Sequence, residues 1–270
     1  MKSKTILVTG ATDGIGKQTA FELAQKGHKV IVHGRNKDKS ETAAREIRAQ
    51  TGSDKIETVS ADLTDLHAIE RMSSEVRNTV SQLDVLINNA GVFENDRIIL
   101  PNGFEKTFMI NHLAPFALTL QLLGLLRATP NARIVNVSSM AQSGSIDFDN
   151  LNGEKYFDGY NAYAVSKLEN VLFTYKLARL LDEEEITVNC LHPGVIKTKL
   201  LHAGWGMGGA NLHDGAATSL YAALAEELEG KTGLYLLNRN REMRSSAISY
   251  DQKIQNRLWE ISLSLTGLSY

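Results

Sequence analysis

Short runs of β-branched and other apolar residues alternate along this chain with longer segments of helical periodicity. The apolar runs are nearly continuous, which is typical of strands buried on both faces of a parallel sheet. Their alternation with helices predicts right-handed crossovers and a single doubly wound α/β domain over residues 1–270, with about seven strands and helices on both faces. The expected strands are Thr5–Thr9, Lys29–His33, Lys55–Ser60, Val85–Asn88, Arg133–Ser138, Thr187–Leu191 and Gly233–Leu237. The expected helices are Gly16–Lys26, Lys37–Gln50, Leu66–Val80, Asn102–Ala128, Tyr160–Asp182, Asp214–Glu229 and Tyr250–Leu265.

Composition excludes several classes of protein. A chain with 43% hydrophobic and 22% charged residues is typical of a globular protein rather than a disordered one. The net charge of −2 offers no electrostatic footprint for nucleic acid. The apolar run Thr5–Val8 is too short for a signal-peptide core, so we expect no membrane anchor and a cytoplasmic location. The single cysteine, Cys190, suits a reducing compartment.

A glycine-rich turn lies between the first expected strand and the first expected helix. Gly10 would allow a sharp turn, Gly14 would let the backbone approach a pyrophosphate, and Gly16 would permit close helix–strand packing. The helix that follows offers its unpaired N–H groups and its dipole to phosphate. The turn therefore predicts a dinucleotide site in a Rossmann-type fold, although a tight turn without a ligand would carry the same pattern.

Further motifs follow in a fixed order along the chain. They are Gly10-x-x-x-Gly14-x-Gly16, Asn88-Asn89-Ala90-Gly91, Asn111, Ser139, Tyr163-x-x-x-Lys167 and Pro193-Gly194. As a set, these motifs resemble the short-chain dehydrogenase/reductase family, simple oxidoreductase branch, over nearly the whole chain. Segments 111–116, 166–173 and 257–260 are similar to the retinol dehydrogenase-like and protochlorophyllide reductase-like group. The resemblance implies hydride transfer between a nicotinamide cofactor and a small-molecule carbonyl or alcohol, which in that group is bulky and apolar.

The resemblance also implies a set of cofactor contacts. Asp62 and Leu63 would lie against adenine, Asn89 near its ribose, and the turn after Pro193 would hold the nicotinamide carboxamide. The full expected set is Gly10, Thr12, Asp13, Gly14, Ile15, Gly16, Arg35, Asn36, Asp62, Leu63, Asn89, Ala90, Gly91, Tyr163, Lys167, Pro193, Gly194, Ile196 and Thr198.

The end of the second expected strand bears on the choice between NAD and NADP. NAD enzymes usually place an acidic side chain there for the ribose 2′-OH, and this chain has none. Arg35 could clamp a 2′-phosphate, with Lys39 as a second cation. We therefore predict NADP(H), with NAD(H) as the alternative. Arg35 could instead be a solvated turn residue, and Asp13 stands where some NADP-using relatives carry a basic residue.

Four residues are candidates for the chemistry. Tyr163 and Lys167 are four residues apart in a helical pattern, so they share a face. The ammonium, together with the positive nicotinamide of oxidised cofactor, would lower the phenol pKa from about 10. Ser138 and Ser139 terminate a strand, where a hydroxyl could stabilise charge on the reacting oxygen. The resemblance implies that Ser139 is the catalytic one and that Ser138 supports the cofactor side. The resemblance adds Asn111, whose side chain would open a helix irregularity and hold a water that relays protons to the lysine.

Two regions leave alternatives open. Segment 199–212 is expected to be a substrate lid with an apolar inner surface formed by Leu200, Leu201, Trp205 and Met207, and four glycines would loosen it. The alternative is a disordered surface loop. The expected helices Asn102–Ala128 and Tyr160–Asp182 are both apolar, and they form the dimer face in many relatives. Their apolar character therefore indicates either a homo-oligomer (dimer or tetramer) or packing on the sheet.

Competing classes of function have less support. No histidine pair has a zinc-protease spacing, so we expect no metal site. A cofactor-binding sensor without turnover is an alternative, but the chain retains Asn111, Ser139, Tyr163 and Lys167.

Overall fold

One sheet carries the fold, and in the described part of the chain it has eight strands in the order β3-β2-β1-β4-β5-β6-β7-β8. A computed structural model describes residues 3–181, 186–206 and 208–270. The strands are β1 Thr5–Val8, β2 Lys29–Gly34, β3 Ile56–Ser60, β4 Val85–Asn88, β5 Arg133–Val137, β6 Thr187–Leu191, β7 Tyr235–Leu237 and β8 Arg241–Glu242. Pairing is parallel from β3 to β7 and antiparallel between β7 and β8. The predicted doubly wound α/β fold is confirmed, with one strand more than expected.

Helices cover both faces of this sheet. They are α1 Gly14–Gln25, α2 Lys37–Thr51, α3 Leu66–Thr79, α4 Lys106–Phe108, α5 Ala114–Arg127, α6 Gly159–Leu180, α7 Lys199–Trp205, α8 Leu212–Leu224 and α9 Gln252–Thr266. Ile6 and Val8 point to the face under α1, α2 and α8, whereas Leu7 points to the face under α3, α5 and α6. Strands buried on both sides explain the continuous apolar runs, because each such side chain contributes roughly 1.5–3 kcal/mol on burial.

The direction of strand addition reverses between β1 and β4. From β1 the chain adds β2 and then β3 on one side, and from β4 it adds β5, β6 and β7 on the other. The helices that leave β1 and β4 therefore diverge, which opens a crevice at the carboxyl ends of these strands. Ligands bind in such a crevice in open α/β sheets.

The extra strand, β8, pairs with β7 through a tight hairpin turn. Asn238 and Arg239 occupy that turn with positive φ angles of 48° and 73°. Such turns usually contain glycine, and the two residues of β8 are both exposed. The sequence therefore lacks the glycine by which such a turn is usually recognised, and β8 lacks the apolar alternation of a strand.

The long helix expected over Asn102–Ala128 is interrupted. Gly103 has a positive φ of 85°, and the helix begins only at Lys106, where Glu105 accepts a hydrogen bond from the Phe108 N–H. A π-helical turn, Met109–Leu113, then separates α4 from α5. Among the described residues, stretch 106–127 is long and apolar enough to cross a membrane by length and composition, and 72% of its most apolar window is buried in the fold.

The C-terminal helix packs over the outer side of α5 and α6. Trp259 of α9 meets Phe116 and Phe173 with ring-centre distances of 5.2 and 6.2 Å, and Leu258 joins a buried cluster with Leu168 and Leu172. Packing within the chain thus accounts for much of the apolar character of the two helices. The expected helix end at Asp182 lies outside the described residues.

Candidate active site

The glycine turn brings three backbone segments into close contact at the end of β1. Gly10 has a φ of 64°, and a Cβ there would stand 2.9 Å from the Cα of Ala90. A Cβ on Gly16 would stand 2.4 Å from the Gly10 carbonyl oxygen and 2.4 Å from Nδ2 of Asn89. Both positions therefore require glycine, and the first turn of α1 begins directly against the strand end.

The groups around this turn suit a dinucleotide. N–H groups in the first turn of a helix lack intrahelical partners, and the Thr12 hydroxyl has no hydrogen-bond partner among the described residues. Gly91 leaves open the part of the crevice next to Lys167 and Asn111. A Cβ on Gly91 would stand 3.4 Å from both Nζ of Lys167 and Oδ1 of Asn111. Phosphates and a ribose need hydrogen-bond donors and room to approach the backbone. Here the helical N–H groups and a nearby lysine supply the donors, and the glycines leave the room.

One member of the expected phosphate set carries a negative charge. The Asp13 carboxylate caps α1 by accepting the Gly14 N–H (2.8 Å), and it forms an ion pair with Lys199 at the start of α7. This ion pair lowers the pKa of Asp13. Lys199 therefore offsets the charge of Asp13 and links the glycine turn to segment 199–212.

Arg35 lies at the adenosine end of the crevice, directly after β2. Its side chain is exposed and has no hydrogen bond or ion pair with any described residue. Asn36 beside it caps α2 by accepting the Lys39 N–H (3.0 Å), so its side chain is engaged locally. The backbone at Gly34 passes closely over Thr12, because a Cβ there would stand 2.4 Å from the threonine methyl. Arg35 is therefore next to the glycine turn and available to a ligand.

Several expected adenosine contacts are already engaged in the protein. Oδ1 of Asp62 accepts hydrogen bonds from the N–H (3.0 Å) and the hydroxyl (2.8 Å) of Thr64, which closes the turn after β3. The side-chain amide of Asn89 donates to the Thr9 carbonyl (2.8 Å), and the Ala90 N–H donates to the Thr9 hydroxyl (3.0 Å). These bonds hold the segments that would form the wall of the crevice.

Ser139, Tyr163 and Lys167 come together at the end of β5. Nζ of Lys167 lies 5.5 Å from the ring centre of Tyr163 and donates to the Val137 carbonyl (3.1 Å). The Ser138 hydroxyl donates to the Lys167 carbonyl (2.7 Å) and thereby ties α6 to this strand end. All three candidate side chains are buried.

Burial dominates the electrostatics of these groups. It raises the pKa of Tyr163 to about 12, although the Ser139 hydroxyl opposes the rise. Burial also lowers the pKa of Lys167 to about 8. In the protein groups alone, burial outweighs the lysine, since Nζ lies over the ring and bonds a carbonyl rather than the hydroxyl. The expected lowering of the phenol pKa by the lysine together with oxidised nicotinamide stays a prediction.

Asn111 lies at the centre of the π-helical turn and clamps the chain after Gly91. Its Oδ1 accepts the Val92 N–H (2.8 Å), and its Nδ2 donates to the Val92 carbonyl (3.0 Å) and to the Ser166 hydroxyl (2.9 Å). Ser166 in turn donates to the Tyr163 carbonyl (2.7 Å). The helix irregularity implied by the resemblance is thus present, and both amide hydrogens of Asn111 position protein segments.

The turn after β6 lies beside the glycine turn. A Cβ on Gly14 would stand 3.7 Å from the methyl of Thr198, and the side chain of Ile196 packs against Gly194. The Thr198 hydroxyl caps α7 by accepting the Leu201 N–H (3.1 Å). The expected nicotinamide segment Pro193–Thr198 and the expected phosphate turn therefore share one crevice.

Segment 199–212 contains a helix, α7, rather than a loop throughout. Gly204 packs against the ring of Phe93, where a Cβ would stand 3.0 Å away, and Gly209 packs against the Val195 carbonyl. These two glycines permit close packing instead of loosening the segment. Met207 lies outside the described residues.

An aromatic cluster formed by Phe93, Tyr160, Tyr163 and Trp205 covers the chemical end of the crevice. Trp205 lies 5.5 Å from Phe93, 5.8 Å from Tyr160 and 5.6 Å from Tyr163 between ring centres. Tyr160 and Trp205 are partly exposed at the mouth. The chain therefore offers an apolar wall next to the candidate catalytic hydroxyl.

Sequence reasoning assigned no role to two side chains behind the candidate catalytic residues, the buried His192 and the half-buried Gln142. His192 accepts the Met140 N–H on Nδ1 (3.2 Å), and burial next to Lys167 lowers its pKa to about 4. Gln142 donates to the Ser139 carbonyl (2.9 Å) and accepts the Ser246 N–H (3.0 Å). The position of His192 directly before the Pro193 motif was a signal in the sequence for a role at the site. No local pattern indicates the role of Gln142.

Fold and site together define a nicotinamide-dependent oxidoreductase of the α/β class. Residues 4–205 match the family model for short chain dehydrogenase, and the chain belongs to that family. It is 40% identical to mouse retinol dehydrogenase 13, over 98% of this chain and 84% of that protein, which puts it in the retinol dehydrogenase-like group.

Solved structures agree with this assignment. An uncharacterized protein from Mycobacterium paratuberculosis is 32% identical, with a TM-score of 0.83 over 99% of this chain and 94% of that one. A short chain dehydrogenase from Escherichia coli CFT073, solved in complex with NADPH, is 26% identical, with a TM-score of 0.73 over 87% of this chain and 96% of that one.

Proposed function

We propose that this protein is an NADP(H)-preferring oxidoreductase that interconverts a carbonyl and an alcohol on a bulky, apolar substrate. The observation that carries the proposal is the convergence of Ser139, Tyr163 and Lys167 on one buried site beside an aromatic wall. Bound NADP(H) supplies the hydride donor or acceptor for this reaction.

Tyr163 is the proposed acid and base. In reduction its hydroxyl protonates the carbonyl oxygen, and in oxidation its phenolate takes the hydroxyl proton, which typically contributes roughly 10² to 10⁴ in rate. The Ser139 hydroxyl donates a hydrogen bond to the same oxygen and stabilises its negative charge. The Lys167 ammonium, together with the positive charge of oxidised nicotinamide, favours the phenolate of Tyr163, and Asn111 anchors the proton relay to that lysine.

The preference for NADP(H) rests on Arg35. This guanidinium is exposed, has no partner among the described residues and lies beside the glycine turn, so it can pair with a 2′-phosphate. The NADPH complex of the Escherichia coli relative supports the same choice. NAD(H) is the alternative cofactor.

Segment 199–212 is the proposed lid over the substrate. Its helix α7 is tied to the glycine turn through Lys199 and to the catalytic end through Trp205. The aromatic cluster favours an apolar substrate, because its rings offer apolar surface and few polar groups that could pair with a charged substrate. The cytoplasmic location stays a prediction.

Two assays test this proposal. Consumption of NADPH and of NADH is measured with aldehydes and ketones of increasing apolar size. The proposal expects turnover with NADPH at a higher kcat/KM, and a rise in kcat/KM with substrate size. Equal efficiency with both cofactors, unchanged in Arg35→Ala, would refute the cofactor preference, and the absence of turnover on every carbonyl would refute the activity.

A further inference from the structure

His33 is buried beneath the glycine turn at the end of β2. Its Nδ1 accepts the Gly10 N–H (3.1 Å), and its Nε2 lies 3.1 Å from the carbonyl oxygen of Ala61. Its side chain is 2% exposed. One imidazole therefore connects the turn after β1 with the segment after β3.

The two partners fix the tautomer of this histidine. A backbone N–H can only donate and a carbonyl oxygen can only accept, so Nδ1 carries the lone pair and Nε2 carries the proton. Desolvation lowers the pKa of His33 to about 4, although the nearby Asp62 carboxylate opposes this shift. The neutral ring thus holds both bonds across the neutral pH range.

Backbone bonds reinforce the same connection. The Ala11 N–H donates to the His33 carbonyl (2.8 Å), and the Ala61 N–H donates to the Gly34 carbonyl (3.2 Å). On its other side, Gly10 lies so close to Ala90 that a Cβ at Gly10 would stand 2.9 Å from the Ala90 Cα. The turn therefore packs between His33, which accepts its N–H, and Ala90.

We infer that His33 is a positioning residue of the cofactor site, which sets the spacing between the phosphate turn at Gly10 and the adenine-side segment that begins at Ala61. This inference rests on the proposed cofactor function. A dinucleotide must contact both segments at once. A fixed spacing between them therefore reduces the conformational entropy that the protein loses when the cofactor binds. Loss of the bridge should weaken cofactor binding more than it slows turnover.

Three substitutions separate the two halves of the bridge. His33→Asn places an amide oxygen near Nδ1 and keeps an acceptor for the Gly10 N–H. His33→Gln places an amide nitrogen near Nε2 and keeps only the donor to Ala61, and His33→Phe keeps the volume without either bond. Dissociation constants for NADPH and for NADH are measured by titration calorimetry on the full-length chain.

His28 provides a matched control at the opposite end of the same strand. It is equally buried, and its Nδ1 accepts the Lys4 N–H (3.2 Å), far from the crevice. His28→Phe should lower Tm with no change in the dissociation constant. His33→Phe should raise that constant about tenfold, with kcat changed less than twofold, because the part-buried Gly10 N–H and the buried Ala61 carbonyl lose their partner.

If His33→Phe does not fold, His33→Asn and His33→Gln, which each retain one of the two bonds, test the positioning role. His33→Asn loses the Ala61 half of the bridge and should bind the cofactor about threefold more weakly than wild type, but amide exchange at Gly10 should stay slow. His33→Gln should bind more weakly and exchange faster at Gly10. A wild-type dissociation constant in His33→Gln would overturn the positioning role while leaving the proposed function intact. A wild-type chain that binds neither cofactor would overturn both.

Discussion

Trp205 and Tyr163 meet edge to face, with ring centres 5.6 Å apart and an angle of 81° between the rings. Trp205 ends α7, whereas Tyr163 lies in α6, and Phe93 contacts both. The proposed lid therefore packs directly on the proposed catalytic side chain. Any bulky substrate that reaches the Tyr163 hydroxyl has to share this aromatic surface.

Replacing Trp205 by alanine should impair large substrates selectively. Packing of the indole against a bulky substrate would contribute roughly 0.5–1.5 kcal/mol beyond the buried area. Its loss should therefore raise KM for a bulky aldehyde about tenfold while KM for a small aldehyde changes little. Steady-state kinetics with the two substrates measure this difference. Trp205→Phe is the control and should keep most of the wild-type KM. An equal rise for both aldehydes would contradict the role of Trp205 as a substrate wall.

Replacing Tyr163 by phenylalanine should remove turnover and keep cofactor binding. The ring still packs against Phe93 and Trp205, but no group remains to transfer the proton, so kcat should fall by roughly 10² to 10⁴. Titration with NADPH should give an unchanged dissociation constant. Near wild-type turnover in a variant that binds cofactor normally would remove Tyr163 from the mechanism.

The pH dependence should differ between the two directions of the reaction. Because the pKa of Tyr163 is raised to about 12, the phenolate is scarce at neutral pH and its fraction grows about tenfold per pH unit. Alcohol oxidation needs the phenolate and should accelerate from pH 6 to pH 8, because the pKa of Lys167 is about 8 and at least half of its side chain stays protonated over this range. Carbonyl reduction uses the neutral phenol and should show no such rise. Initial rates in both directions test this, and parallel profiles would contradict it.

The fold could be predicted from sequence because its strands are buried on both faces. A run such as Val30–Val32 has no other favourable place than the inside of a parallel sheet. β8 could not be predicted, because an exposed pair of residues after a turn without glycine leaves no pattern in the sequence. Local chemistry determines the glycine turn, whereas tertiary contacts determine β8.

The candidate site shows the same division. Gly10 and Gly16 are dictated by backbone approaches below 3 Å, which only glycine allows, so their spacing is readable in the sequence. The sequence does not reveal that burial raises the pKa of Tyr163, since desolvation depends on what covers the ring. Nor does it reveal His33, whose partners Gly10 and Ala61 are 23 and 28 residues away along the chain.

Replacing Arg35 by alanine should reduce the preference for NADPH. Charge-assisted hydrogen bonds to a phosphate are worth roughly 1.5–3 kcal/mol, so KM for NADPH should rise about ten- to a hundredfold. KM for NADH should change little because NADH lacks the 2′-phosphate. Lys37→Ala removes a cation two residues further along and is the control for net charge. A matching loss with both cofactors would show that Arg35 supports the fold of the turn instead.

Replacing Trp259 by alanine should destabilise the fold and expose the outer side of α5 and α6. The indole is buried against Phe116 and Phe173, so its removal should cost about 3–5 kcal/mol of unfolding free energy. Urea denaturation measures this loss, and Ser264→Ala, on the exposed side of α9, is the control.

The same variant tests whether α9 prevents association through these helices. Apolar surface on α5 and α6 that Trp259 no longer covers is available to a second chain. Light scattering should therefore find the wild type monomeric and Trp259→Ala associated at the same concentration. A wild type that is already dimeric through α5 and α6 would contradict this, because Trp259, Phe116 and Phe173 are packed together within one chain and cannot serve both contacts.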